Sequence, residues 1–168
     1  MNRFLVSLLA SITLVLVFLN SSQSALSLQP NMEVYSIVTS LAAGGYHTCA
    51  LIDGAVKCWG NALLGDSGAT KYTEPTAIAG LSSGVTDVAA GFGHVCVVFN
   101  GGVKCWGENR GGQLGDGSIT SSSPPVDVIG LNSVVTAITA GWSHTCALTS
   151  EGGVKCWGEA PLGDGTED

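Results

Sequence analysis

Six cysteines and three histidines are the residues of this sequence best suited to chemistry. The histidines stand two positions before a cysteine in His47-Thr48-Cys49, His94-Val95-Cys96 and His144-Thr145-Cys146, and a second cysteine follows in each segment. One histidine and two cysteines supply three metal ligands, whereas a structural zinc site uses four, and the sequence has no Cys-x-x-Cys pair. Disulfide formation is the competing chemistry, and it requires the two cysteines of a segment to face each other.

The turns between the cysteines predict that they do face each other. Asp53-Gly54 and Asn100-Gly101 are two-residue hairpin turns by type, and Ser150-Glu151-Gly152 fits a three-residue loop. Counting outward from each turn places two cysteines directly opposite, at sites where, in the first two hairpins, Cα atoms approach to about 4.5 Å. The predicted pairs are Cys49–Cys58, Cys96–Cys105 and Cys146–Cys156. We expect three disulfides, one within each hairpin, with metal binding and free thiols as the alternatives.

These hairpins belong to a repeat that covers the chain after residue 28. Each repeat has a Val-Thr strand, a His-x-Cys strand, a Val-Lys-Cys-Trp-Gly strand and then Leu-Gly-Asp. A further strand, led by Pro30, Pro75 or Pro125, precedes each Val-Thr strand. Four short strands per repeat of about 50 residues predict β-propeller blades. The predicted units are residues 29–60, 75–107 and 125–158.

A residue that recurs in every repeat is expected to have a structural role. This interpretation applies to three histidines, which would satisfy buried backbone groups, and to three tryptophans of the core or blade contacts. These residues are His47, His94, His144, Trp59, Trp106 and Trp157. Asp66, Asp116 and Asp164 lie in Gly-rich turns, where we expect local hydrogen bonds rather than a calcium site. The sequence therefore predicts no catalytic residue, no metal and no cofactor.

The first 25 residues have the composition of a targeting segment. Arg3 precedes a mostly apolar run from Phe4 to Leu19, and small polar residues follow as far as Ala25. This pattern predicts a signal peptide, with an uncleaved membrane anchor as the alternative, and either would place the rest of the chain outside the cytoplasm. The formal net charge is −7 and the six basic residues are scattered, which excludes a basic surface for nucleic acid.

The repeated residues resemble those of a known family. Ala-Gly-x-x-His-x-Cys-Ala-Leu, Val-Lys-Cys-Trp-Gly and the run from Trp106 to Gly117, which contains Gly-Gln-Leu-Gly-Asp-Gly, resemble the regulator of chromosome condensation repeat. The resemblance implies a seven-bladed propeller and, for the cysteine-bearing variety, secreted or surface proteins of bacteria. Kelch repeats are the second candidate, but their glycine doublet matches only Gly44-Gly45 in the first unit.

The sequence thus predicts an all-β fold: a partial propeller of about three four-stranded blades, over residues 29–168, truncated from a seven-bladed ring. The outer faces of the first and last blades would lose their covering neighbours, and the sequence does not settle which of six candidate residues face outward there: Leu41, Leu51, Val56, Ile138, Leu148 and Val154. We expect a non-enzymatic secreted or surface scaffold that binds a protein or glycan, and that meets a membrane only if the N-terminal segment is uncleaved. The alternatives, implied by the resemblance, are guanine-nucleotide exchange on a small GTPase and inhibition of a secreted enzyme.

Overall fold

The computed structural model describes residues 36–61, 71–159 and 162. These residues all belong to one compact unit, residues 36–168. The targeting segment and the strand expected after Pro30 lie outside the described residues. The described part of the chain forms the strands β1 (Val38–Ala43), β2 (His47–Ile52), β3 (Ala55–Gly60), β4 (Tyr72–Ala77), β5 (Val85–Ala90), β6 (His94–Phe99), β7 (Gly102–Gly107), β8 (Ser122–Asp127), β9 (Val135–Ala140), β10 (His144–Thr149) and β11 (Val154–Gly158).

The strands form three antiparallel meanders. The first sheet has the order β1-β2-β3-β4, the second β5-β6-β7-β8, and the third, among the described residues, β9-β10-β11. Every paired neighbour is antiparallel and consecutive in the chain. The prediction of an all-β fold built from blade-like sheets is confirmed.

The proline-led strands belong to different sheets from those we expected. β4, which contains Pro75, pairs with β3, and β8, which contains Pro124 and Pro125, pairs with β7. Each is therefore the outermost strand of the preceding sheet rather than the first strand of its own unit. The sheets span residues 38–77, 85–127 and 135–158, not the predicted ranges. The prolines also lie within these strands rather than at their first residues. Proline is tolerated there because an outermost strand has one edge that pairs with no other strand and needs no N–H donor.

The hairpin turns have the backbone geometry that their residue types favour. Asp53 and Gly54 have φ values of 51° and 77°, and Asn100 and Gly101 have φ values of 50° and 80°. Two consecutive residues with positive φ form the turn whose twist matches the flanking strands. In the third hairpin the Thr149 N–H donates to the Gly153 carbonyl at 2.8 Å and closes the three-residue loop. The turns set the register that aligns the cysteines.

The core consists of two apolar clusters, each made by two neighbouring sheets. The first contains Leu51 and Val56 from the first sheet with Val85, Val88, Val95 and Val97 from the second. The second contains Val98 and Val103 from the second sheet with Val135, Ile138 and Ala147 from the third. Of the six candidates for uncovered apolar residues, Leu51, Val56 and Ile138 are therefore buried. Leu41, Leu148 and Val154 are exposed.

Candidate functional site

The six cysteines lie in the three predicted pairs. Cys49 and Cys58 are directly opposite in the β2–β3 ladder, and the other two pairs occupy the equivalent positions. The sulfur atoms are 2.09 Å apart in the first pair, 2.14 Å in the second and 2.07 Å in the third. Each pair has a Cα–Cα distance of 4.1 Å. Each sulfur is bonded within its own hairpin, so these cysteines link neighbouring strands and do not link sheets.

His94 connects the second sheet to the third. Its Nε2 lies 2.9 Å from Thr145 Oγ1, and that hydroxyl lies 3.0 Å from the Gln113 carbonyl. A carbonyl can only accept, so the hydroxyl donates its single proton to Gln113 and accepts from the His94 Nε2–H. His94 is fully buried, and burial, followed by the nearby His47 and His144, lowers its pKa to about 4. The neutral ring is thus a hydrogen-bond donor between sheets, not a proton-transfer group at neutral pH.

His47 occupies the same repeat position with a different environment. Its side chain is buried, and neither ring nitrogen has a hydrogen-bond partner in the described structure. The residue of the second sheet equivalent to Thr145 is Val95, which has no hydroxyl to accept a proton. Burial lowers the pKa of His47 as well, although an interaction with the His94 backbone opposes part of this shift. His144 is half-buried, because no further described sheet packs on its side. Of the three histidines, His94 bonds to a side chain of the next sheet, and the general role of the histidines in satisfying backbone groups stays a prediction.

The three tryptophans occupy the core positions to different degrees. Trp106 is fully buried and belongs to the cluster between the first two sheets. Trp157 packs against the second cluster, and its Nε1–H donates to the Gln113 carbonyl at 3.0 Å. Trp59 is half-buried. The structure therefore places Trp106 and Trp157 at sheet contacts.

Asn109 organises the loop between β7 and β8, a role that the sequence analysis did not assign. The side chain is fully buried, and its Nδ2 donates to Asp116 Oδ1, to Ser118 and to the Thr120 carbonyl at 3.1–3.3 Å. Its Oδ1 accepts from the Leu114 N–H at 2.9 Å. The residues equivalent to Asn109 in the other two repeats are Ala62 and Ala160. This difference between repeats was the sequence signal that could have indicated the role of Asn109.

Asp116 makes the local turn contacts expected of it. Its Oδ1 accepts from the Ser118 N–H at 2.9 Å, and its Oδ2 accepts from the Ser118 hydroxyl at 3.1 Å. Partial burial raises the pKa of Asp116, but the hydrogen bonds from Ser118 and Asn109 outweigh burial and lower the pKa overall. Asp66 and Asp164 lie outside the described residues.

Three aromatic side chains form a row across the three sheets, and sequence reasoning missed them. Tyr46, Phe92 and Trp142 each lie one or two residues before the repeated histidine. The Tyr46 and Phe92 rings meet edge to face with centroids 5.4 Å apart, and Phe92 stacks on Trp142 at 4.0 Å. Tyr46 is 66% exposed and Trp142 is 69% exposed. An aromatic residue at nearly the same place in every repeat was the signal that could have revealed this aromatic row.

The aromatic row lies at the loop-bearing end of the sheets. The residues after β3, β7 and β11 return to this end, as shown by the Asn61 N–H donating to the Tyr46 carbonyl and the Glu108 N–H donating to the Gly93 carbonyl. A shallow groove of about 420 Å³ runs beside the row, lined by Ala43, Ala90 and Ala140 with the adjoining glycines. The residues that line this groove are uncharged. The surface is therefore apolar, and it carries two exposed aromatic rings.

A second, more polar groove opens beside the β7–β8 loop at the same end. It has a volume of about 590 Å³ and is lined by Glu108, Arg110, Gln113, Ser143 and Glu159, among others. Within the described ranges no group of three or more His, Cys, Asp or Glu side chains could hold a metal ion. No helix in the described part of the chain is long and apolar enough to cross a membrane.

Antiparallel meanders that pack face to face around common apolar clusters define a partial β-propeller. Residues 85–113 and 100–148 match two models of the regulator of chromosome condensation (RCC1) repeat. Residues 85–148 are therefore identified as repeats of this family, as the sequence analysis inferred. None of the curated proteins matches the sequence of this chain.

Solved structures support the same fold. Prp20p from Saccharomyces cerevisiae, described with its binding properties to Gsp1p and histones, is 30% identical, with a TM-score of 0.60 over 77% of this chain and 33% of its own. Human WBSCR16 is 24% identical, with a TM-score of 0.63 over 70% of this chain and 32% of its own. The ectodomain of the receptor kinase CR4 from Physcomitrella patens is 22% identical, with a TM-score of 0.50 over 78% and 33%. The chain spans about a third of the length of these relatives.

Proposed function

We propose that this chain is a non-enzymatic protein-binding scaffold that acts outside the cytoplasm and binds its partner on the aromatic row. The observation that carries the proposal is the exposure of Tyr46 and Trp142 beside an apolar groove. A contiguous exposed apolar patch marks an interaction site, and tyrosine and tryptophan are enriched among the residues that carry most of the binding energy of protein interfaces. Prp20p, which has the same fold, is described as binding the proteins Gsp1p and histones.

A rigid support under the row favours binding by a preformed surface. The Gly45 N–H donates to the Phe92 carbonyl at 3.1 Å, and the Phe92 N–H donates to the Trp142 carbonyl at 3.2 Å. These bonds join the loops of the three sheets to one another directly beneath the rings. Because the side chains are held before the partner arrives, association loses less conformational entropy. A catalytic role has less support, since His94 is buried and bonded to Thr145, and His47 is buried.

The location outside the cytoplasm is supported by the cysteines and by the composition of residues 1–25. Three pairs within disulfide distance favour an oxidising compartment. The receptor kinase CR4 of Physcomitrella patens has a similar fold in its ectodomain, which supports the proposed location.

Selection from a random peptide library displayed on phage tests the proposal. Peptides are selected on the wild-type protein, and their affinities are then measured by fluorescence polarisation for the wild type, Tyr46→Ala and Trp142→Ala. We expect each substitution to weaken binding at least tenfold, which corresponds to about 1.4 kcal/mol. Ile129→Ala is the control, because Ile129 is 64% exposed and lies outside the aromatic row. A library that yields no binder, or binders with equal affinity for all variants, would refute the proposal.

A further inference from the structure

The described unit leaves two sheet faces uncovered, one on each outer sheet. The leading face, on the first sheet, consists of Val38, Leu41 and Thr48. The trailing face, on the third sheet, consists of His144, Leu148 and Val154. Val38, Leu41 and Val154 are 53%, 67% and 67% exposed, and Leu148 is 42% exposed. Val38 is opposite Ile52, Leu41 is opposite Ala50, and alternate residues of β2 share a side, so Val38, Leu41 and Thr48 lie on one side of the first sheet. Leu148 is opposite Val154 and four residues after His144, so these three also lie on one side of their sheet.

The repeat shows what kind of surface covers each face. Val38 and Leu41 are equivalent to Val85 and Val88 in the second sheet and to Val135 and Ile138 in the third, all of which are buried. Leu148 and Val154 are equivalent to Leu51 and Val56 and to Val98 and Val103, which are buried too. Both internal contacts therefore pair the trailing side of one sheet with the leading side of the next.

One polar contact of that interface has both of its halves on the uncovered faces, whereas the bond from the Ile138 N–H to Asp87 Oδ2 does not, because Ala137 stands at the Asp87 position of the third sheet. Between the second and third sheets, His94 Nε2 lies 2.9 Å from Thr145 Oγ1. His144 is the equivalent of His94 on the trailing face, and Thr48 is the equivalent of Thr145 on the leading face. In the contact between the first two sheets, Val95 stands at the position of Thr145 and cannot accept a hydrogen bond. At this position the uncovered faces therefore resemble the contact between the second and third sheets.

We propose that a second copy of this chain docks head to tail, with its leading face on the trailing face of the first copy. Thr48 of the second copy then accepts a hydrogen bond from His144, and Leu41 and Val38 cover Leu148 and Val154. The strands β1, β2 and β10, which supply most of the two faces, contain no Asp, Glu, Lys or Arg. β11, which supplies Val154, contains Lys155, and the Lys155 ammonium donates to the Gly130 carbonyl at 2.8 Å, so the contact leaves no charge without a partner. The two faces are different surfaces, so the contact repeats until it closes into a ring or extends as a chain.

Analytical ultracentrifugation of the oxidised protein, with charge placed on one face at a time, tests this assembly. We expect the wild type to form dimers or larger species, whereas Leu41→Asp and Leu148→Asp are each monomeric. Mixing the two variants restores a dimer and nothing larger, because one intact leading face and one intact trailing face remain in the mixture. Ile129→Asp, which places the same charge on an exposed position outside both faces, leaves the assembly of the wild type unchanged.

A milder substitution tests the hydrogen bond itself. Thr48→Val should raise the dissociation constant about three- to tenfold, because His144 loses its acceptor, whereas Thr86→Val, at an exposed threonine of β5, should leave it unchanged. Circular dichroism melts identify any variant that fails to fold. A wild type that is monomeric at its highest soluble concentration overturns the proposal. A mixture of the two aspartate variants that stays monomeric, or an oligomer that neither aspartate alters, overturns it as well.

Discussion

At the scale of single residues, one repeated position has three different environments. His94 is buried and donates to Thr145, His47 is buried with no side-chain acceptor on the next sheet, and His144 is half-buried on an uncovered face. The residue type is the same in each case, so the environment depends on the neighbouring sheet. The burial and hydrogen bonding of the repeated histidine thus depend on which sheet packs on the trailing side of its own sheet.

Thr145→Val is expected to destabilise the contact between the second and third sheets. The change removes the acceptor of the His94 Nε2–H and leaves that buried N–H without a partner, whereas the Gln113 carbonyl keeps the bond from Trp157 Nε1–H. A buried polar group without a partner costs about 1–3 kcal/mol, so we expect a loss of that size in the free energy of unfolding. Urea titration of the oxidised protein measures it. Thr86→Val is the control, and equal stability of both variants would contradict the role given to Thr145.

Acid is expected to destabilise the fold through the buried histidines. The pKa of His94 is about 4 in the folded protein, below its ordinary value of 6.5. The unfolded chain therefore binds a proton first as the pH falls, and the stability that is present above pH 6.5 decreases down to about pH 4. The loss from this residue is on the order of 3 kcal/mol, and His47, whose pKa is also lowered, adds to it.

Urea titrations across that pH window measure the acid effect. His94→Gln, which keeps a donor but does not titrate there, should flatten the dependence of the unfolding free energy on pH. The pKa of Asp116 is lowered from its ordinary value of 3.8, so its contribution to the unfolding free energy is lost only below this pH window. Asp116 therefore does not add to the slope measured within the window. An unchanged slope in the variant would assign the acid effect to other groups.

At the scale of elements, the hairpins and the long loop depend on different kinds of information. The hairpin register follows from turns of two or three residues, which are local. The β7–β8 loop is held by Asn109, whose side chain bonds to residues up to eleven positions away. The proline-led strands were assigned to the wrong sheet because their own residues do not indicate which neighbouring strand they pair with.

Asn109→Ala is expected to loosen the β7–β8 loop. The substitution removes the donor to Asp116, Ser118 and Thr120 and the acceptor for the Leu114 N–H. We expect the protein to lose about 2–3 kcal/mol of stability, with faster hydrogen exchange at the amides of residues 110–120. Asn132→Ala, at an exposed asparagine, is the control. Unchanged exchange in the loop would mean that the backbone bonds suffice without the amide.

At the scale of the whole molecule, the proposed location and the cysteine pairs make one joint prediction. Protein exported from the cell should contain no thiol that can be alkylated without reduction, because all six cysteines are paired. Leu14→Arg combined with Leu16→Arg interrupts the apolar run and should retain the chain in the cytoplasm, where its six thiols stay reduced. Intact-mass analysis after alkylation measures both. Continued export of the double variant, or six free thiols in exported protein, would contradict the prediction.

The sequence by itself determined the features that depend on neighbouring residues. Asp53-Gly54 and Asn100-Gly101 adopt positive φ at low energy, so they set the hairpin register and align Cys49 with Cys58 and Cys96 with Cys105. The repetition of short strands likewise determined the all-β, blade-like fold, because a strand that is apolar on both sides must be covered by sheets on both sides.

Only the tertiary structure decided the features that depend on distant residues. It assigned β4 and β8 to the preceding sheets, buried Ile138 while leaving Leu41 exposed, and stacked Phe92 on Trp142. Equivalent residues of the repeat have the same local sequence preferences but different neighbours across the sheet contact. Burial and hydrogen bonding at equivalent positions therefore depend on how two sheets pack together. The sequence of a single repeat does not determine them.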